Sequence, residues 1–258
     1  MAKPTLFLLL LLITNLVFSQ QKKSILLIVA HPDDENMVGP VLAKYARLGH
    51  TVNTIIATDG KYSPLATTIP AGDSLGKARQ LESICASEKL GINHPIFFSI
   101  DRMDTKNGVR PYLNGRKRFL EQLKNKLDSI KPDILITFGP EGEYGHSEHI
   151  VVGAAVTEVL LREDWVEKYP LYFLAWKKEQ VTDDPDLSYV NENYIDLEIS
   201  FSDEDARRSL EAGKCYVTQF TPEEMKDQED HFEKDKYKMT PFRRFYAPKR
   251  KKIKKDFF

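Results

Sequence analysis

The sequence predicts a single doubly wound α/β domain: a mainly parallel, Rossmann-like sheet with helices on both faces. Three observations carry that expectation. The short runs Ile25-Leu26-Leu27-Ile28-Val29 and Ile134-Leu135-Ile136-Thr137-Phe138 have the length and branched-aliphatic content of strands buried on both faces. Such runs alternate with longer helix-patterned segments, which is how βαβ units read in sequence. The length of 258 residues suits one large α/β domain, and a 41% hydrophobic content supplies its core.

The predicted elements follow in order. Strand Ser24–Ala30 leads to a helix over Met37–Leu48, stopped by Gly49. Strand Thr51–Thr58 precedes a polar loop with Asp59-Gly60 and Pro64. A helix covers Ser74–Leu90, with Asp73 or Ser74 as its cap and Gly91 as its stop. Strand Pro95–Ile100, an irregular stretch Asp101–Asn114 and a helix Gly115–Ile130 come next. Strand Asp133–Phe138 opens into the loop Gly139–Gly145, and a helix runs from His146 to Arg162. Strands Leu171–Trp176 and Tyr194–Ile199, a helix Ser202–Thr218 and a charged, exposed helix Asp227–Lys238 complete the pattern. In the doubly wound strand order 3-2-1-4, the first and fourth strands are neighbours and their following loops share one crevice.

The ends and the bulk charge set the context. Lys3, the apolar run Leu6–Val17 and Phe18-Ser19-Gln20 read as a signal peptide over residues 1–20, too short and too interrupted by Asn15 to span a membrane. The expected address is therefore periplasmic or extracellular. The domain is expected over residues 21–240, with a basic tail over 241–258 that holds Lys249–Lys255 and aromatics able to pack back on the domain. A net charge of −1 gives no global field for nucleic acid. Cys85 and Cys215 allow one pairing in an exported protein, but both fall in predicted helices, where buried free thiols are common. No Gly-x-Gly-x-x-Gly follows the first strand, so a dinucleotide site is not supported.

Chemistry concentrates at two loops. Ala30-His31-Pro32-Asp33-Asp34-Glu35 follows the first strand, placing an imidazole and adjacent carboxylates where α/β enzymes keep their sites. Gly145-His146-Ser147-Glu148-His149 follows the fourth strand, with two His three apart on one helix face. Each could be no more than a polar helix entry. Together, on units predicted to be neighbours, they point to a metal site.

The pair of motifs resembles the PIG-L/LmbE family of zinc-dependent deacetylases, which remove an acyl group, usually acetyl, from the 2-amino group of a sugar. The resemblance runs from about Ser24 to about Phe220. It implies zinc held by His31, Asp34 and His149, a His2Asp set matching the three protein ligands and one water of catalytic zinc. Asp33, adjacent to Asp34 but pointing elsewhere, can stay unligated as the base for the activated water. His146 is the candidate imidazolium that stabilises the oxyanion, with Tyr144 assisting as the family's loop suggests. Either Asp33 or His146 could return the proton to the leaving amine. Arg79 is the candidate for substrate hydroxyls, or a partner for Glu82. Asp101 and Asp104 bind sugar hydroxyls or cap a turn. Glu35 is expected to orient an imidazole and Glu148 to face solvent. Lys214–Gln219 reads as packing.

The expected function is thus an exported zinc-dependent hydrolase that removes an N-acyl group from an amino sugar or glycoconjugate. An amidase for non-sugar amides and a non-catalytic carbohydrate-binding protein on the same fold are the alternatives. Neither nucleic acid nor stable membrane insertion is expected.

Overall fold

A computed structural model describes residues 21–182 and 186–249, so the predicted signal peptide and the tail beyond Lys249 lie outside the described residues. The parallel strands are β1 (Ser24–Val29), β2 (Thr51–Thr58), β3 (Ile96–Ile100), β4 (Ile134–Phe138) and β5 (Leu171–Leu174). Two further strands, β6 (Leu197–Ser200) and β7 (Met239–Arg244), complete a seven-stranded sheet in the order β3-β2-β1-β4-β5-β7-β6. The predicted adjacency holds: Ile25 pairs with Ile134 and Leu27 with Ile136. β1 is central and its apolar run is buried, as its composition requires.

The helices form two layers. α1 (Gly39–Arg47), α2 (Asp73–Leu90) and α6 (Asp203–Gly213) pack on one another, and α3 (Val109–Ile130) packs on α5 (Ser147–Arg162). A single turn, α4 (Gly142–Gly145), precedes α5, and α7 (Pro222–Lys234) follows α6. Among the described residues no helix is long and apolar enough to cross a membrane.

Several boundaries differ from expectation. The first predicted helix divides into a 3-10 turn, Asp34–Val38, and α1, because Pro40 falls near the new N-terminus. α3 begins at Val109 rather than Gly115, and Pro111 lies in its first turn, where a missing N–H leaves no helical bond unmade. α6 ends at Gly213 rather than Thr218, and β6 starts only at Leu197, after a 3-10 turn at Glu192–Tyr194. The domain limit at 240 is corrected. β7 straddles it, and Phe242 is buried between Leu174 of β5 and Leu197 of β6 by register. Cys85 and Cys215 are joined in a disulfide, with Cα atoms 5.9 Å apart and 130 positions of sequence between them.

Candidate metal centre

β1 delivers its chain end to the crevice beside β4. There the 3-10 turn aims Asp34 back at the strand. Asp34 Oδ2 accepts from the N–H groups of Ala30 at 3.0 Å and His31 at 2.7 Å, which fixes the carboxylate. The same oxygen lies 3.5 Å from His31 Nδ1, and Oδ1 lies 3.2 Å from His149 Nε2. Burial opposes the Asp34 charge, but His149 and His31 outweigh it and hold the carboxyl well below its ordinary range.

β4 and α5 supply the other half. The His149 ring stacks on Phe138, with centroids 3.9 Å apart and planes 9° from parallel. Gly153, one turn further along α5, makes that approach feasible, since a Cβ there would lie 2.3 Å from the Phe138 carbonyl oxygen. His146 caps the helix: its Nδ1 accepts from the Glu148 N–H at 3.3 Å, leaving the Nε2 proton for the crevice. Nitrogens of His31, His146 and His149 all lie within 4.8 Å of one another. Burial, helped by His31 and His149, lowers the His146 pKa to about 4. An Nδ1 that accepts from the Glu148 N–H fits a neutral ring protonated at Nε2, where the sequence led to an imidazolium. Tyr144, half exposed, meets His146 and His149 edge-on at 5.7 and 5.5 Å and stands at the rim.

Two carboxylates orient these rings. Glu148 is 5% exposed; its Oε2 lies 2.9 Å from His31 Nε2 and its Oε1 accepts from the Met103 N–H. The expectation that Glu148 faces solvent is therefore corrected. The loop after β3 reaches over α5 and buries it. Burial opposes the charge on His31, but Asp34 and Glu148 carry its pKa up to about 10. Glu143 Oε2 stands 3.7 Å from His149 Nδ1. Sequence reasoning passed over Glu143, whose only signal was an acid in the glycine-rich loop before the second His pair.

Asp33 sits beside the cluster in a left-handed conformation, φ 103° and ψ −26°, which costs a non-glycine residue about 1–3 kcal/mol. Its Oδ2 accepts from Arg79 Nη2 at 3.2 Å. Burial pushes the Asp33 pKa up to about 8, with Arg79 opposing. Arg79 is 2% exposed and also donates to the carbonyls of Pro32 at 2.8 Å and Gly60 at 3.2 Å. The substrate contact expected of Arg79 is thus corrected to a strut beneath the turn. Glu35 is buried and accepts from the Asp33 N–H at 3.2 Å and from the Tyr216 hydroxyl, not from an imidazole as expected. Asp101 is not brought to the cluster: it is exposed beyond β3 and ion-paired with Lys61 at 2.6 Å. Asp104 is buried against Arg102.

The donors fit a zinc-sized cation. Both ring nitrogens of His149 are buried without a hydrogen bond, although Nε2 faces Asp34 Oδ1. Ligands on tetrahedral zinc, with bonds of about 2.0–2.2 Å, lie roughly 3.3 Å apart. The 3.2 and 3.5 Å separations of Asp34 from His149 and His31 match that spacing. Asp34 and Glu148 flank the two ring nitrogens of His31 at 3.5 and 2.9 Å, and this negative charge suits a divalent cation.

The family model for GlcNAc-PI de-N-acetylase, PIG-L, matches residues 26–160, from β1 into α5. The chain belongs to the PIG-L family. A curated relative is the 1D-myo-inositol 2-acetamido-2-deoxy-alpha-D-glucopyranoside deacetylase of Mycobacterium sp. (strain KMS), 29% identical over 154 residues, covering 53% of this chain and 49% of that protein. The chain thus spans about half the length of the curated PIG-L relatives it matches. Among solved structures, N,N'-diacetylchitobiose deacetylase from Pyrococcus horikoshii shares the fold with a TM-score of 0.63 at 18% identity, covering 87% of this chain and 84% of that one. The fold is also that of GalB, the 4-carboxy-2-hydroxymuconate hydratase from Pseudomonas putida KT2440, with a TM-score of 0.57 at 14% identity, covering 90% of this chain and 100% of that one. Fold alone therefore does not choose the reaction.

Proposed function

We propose that this PIG-L protein is an exported, metal-dependent hydrolase that removes an N-acyl group, acetyl in the first instance, from an amino sugar or its conjugate. One observation carries the reading: Asp34 and the rings of His31 and His149 converge, while Asp33 stands beside them as a separate carboxylate. A binding site alone has no use for that spare acid. The names of the relatives, deacetylases of an N-acetylglucosamine–inositol conjugate and of diacetylchitobiose, support the substrate class.

His31, Asp34 and His149 would hold the cation. When bound, zinc supplies Lewis acidity and lowers the pKa of a neighbouring water to about 7. Asp33, held at Oδ2 by Arg79, accepts the proton as that water attacks the amide carbonyl. The His146 Nε2–H donates to the oxygen that gains charge, and Tyr144 lines the entrance. Asp33 then returns its proton to the departing amine, so the carboxylate is regenerated. Export is supported by the N-terminal apolar segment and by the disulfide, a bond that persists chiefly in oxidising compartments.

The test is release of acetate and free amine from N-acetylglucosamine oligomers, compared with simple N-acetylated amines, with and without chelator. Release from the sugars that chelator abolishes and added zinc restores is expected. Equal release from the simple amides would replace the reading by a general amidase. No release from any of them under zinc would end it.

A further inference from the structure

We infer that Tyr216 is a positioning residue for Asp33, acting through Glu35, and that the Cys85–Cys215 disulfide fixes it there. The inference deepens the proposed hydrolase reading and rests on it only for its kinetic test. Asp33 holds an unfavourable backbone conformation, so something must keep it there. Glu35 does so from inside the turn, because its Oε2 accepts the Asp33 N–H at 3.2 Å. A carboxylate can serve this way only if its other oxygen is also engaged, since a buried unsatisfied oxygen is costly. The Tyr216 hydroxyl engages Oε1, and Ser83 Oγ lies 3.2 Å from that hydroxyl.

Tyr216 is fully buried, yet it lies beyond the end of α6, in a stretch of turn rather than helix. Its position is set by α2. Cys85 bonds its neighbour Cys215, and Glu82 accepts from the Thr218 N–H at 2.9 Å and hydroxyl at 2.8 Å. The same helix supplies Arg79 to the Asp33 carboxylate. α2 therefore grips Asp33 twice: at its side chain directly, and at its backbone through Tyr216 and Glu35.

The experiment measures hydrogen exchange, by mass spectrometry, in a peptide covering Val29–Val38, and steady-state kinetics on N-acetylglucosamine dimer. Oxidised wild type, wild type reduced with a phosphine, and Tyr216→Phe in both redox states are compared, all loaded with zinc. Faster exchange is expected on either change, with little added when both are made, because both act on one chain of contacts. Turnover per folded molecule should fall about tenfold with KM and bound zinc unchanged, the signature of a misplaced reacting group. Glu35→Gln should resemble Tyr216→Phe, since its one carbonyl oxygen cannot serve both donors. Unchanged exchange in Tyr216→Phe, or additive effects of the two changes, overturns the inference. Should Tyr216→Phe not fold, reduced wild type decides by its exchange alone. Absence of acetate release from wild type would count against the hydrolase reading, while the exchange result still judges the strut.

Discussion

His31 Nε2 and Glu148 Oε2 lie 2.9 Å apart and join residues 117 positions distant. That contact decides which ring nitrogen points at Asp34. It also ties the loop after β1 to the first turn of α5, so the two motifs are held in register before any cation arrives. Glu148→Ala should weaken zinc binding about 10–100-fold without unfolding the domain. Competition against a chromophoric chelator, with circular dichroism as the folding control, checks this. Unaltered affinity would remove Glu148 from that role.

Asp33 and His149 should fail in different ways. Asp33→Asn is expected to lower turnover by about 10²–10⁴ with zinc content unchanged, the usual range for a lost proton acceptor. His149→Ala should lose the metal itself. Elemental analysis and acetate release, run on both variants, separate the two, and a zinc-replete His149→Ala protein would contradict its assignment as a ligand.

Gly153 should tolerate no side chain. A Cβ would meet the Phe138 carbonyl, so Gly153→Ala must lift α5 from β4 and carry His149 with it. A stability loss of about 1–3 kcal/mol is expected, together with weaker zinc binding. Urea denaturation and metal titration measure the two effects. Alanine at an ordinary exposed helix glycine would stabilise instead, which makes the sign informative.

Away from the centre, Arg47 grips Asp205 through two bonds of 2.9 Å, while Asp205 also accepts from the Ser202 N–H and hydroxyl. Burial raises the Asp205 pKa, but these donors outweigh it and bring the carboxyl down to about 2. A carboxyl lowered by folding stabilises fully above its unfolded pKa near 4, and that contribution disappears as pH falls through about 2. Asp205→Asn should therefore cost about 2 kcal/mol at neutral pH. Its deficit relative to wild type should shrink between about pH 4 and pH 2. Denaturation across that range reads the difference directly, and a constant deficit would show the shift to be absent.

The β3-β2-β1-β4 part of the sheet and the convergence of the two loops were legible because strand signals are local and the fold class supplies the order. Buried parallel strands announce themselves as apolar runs, and the switch between β1 and β4 is a rule of the topology. Glu148 was not legible. An acid in a first helical turn suits solvent equally well, and its burial rests on partners far off in sequence, His31 and the Met103 N–H, 117 and 45 positions away. Arg79 misled for a related reason, since the sequence cannot say that Pro32 and Gly60 turn their carbonyls inward to meet it. β7 was concealed by Pro241, which ordinarily argues against an interior strand. It is tolerated because its carbonyl still accepts from the Ala175 N–H at 3.2 Å, so this residue joins the ladder as an acceptor alone.

The placement of β7 governs how the sheet is completed. Among the described residues β6 pairs with β7 and not with β5, so it enters the sheet through β7. Without β7, β5 would present a raw border and β6 would hang unmoored. The seam between the parallel strands and the far edge therefore closes on a six-residue splice, Met239–Arg244.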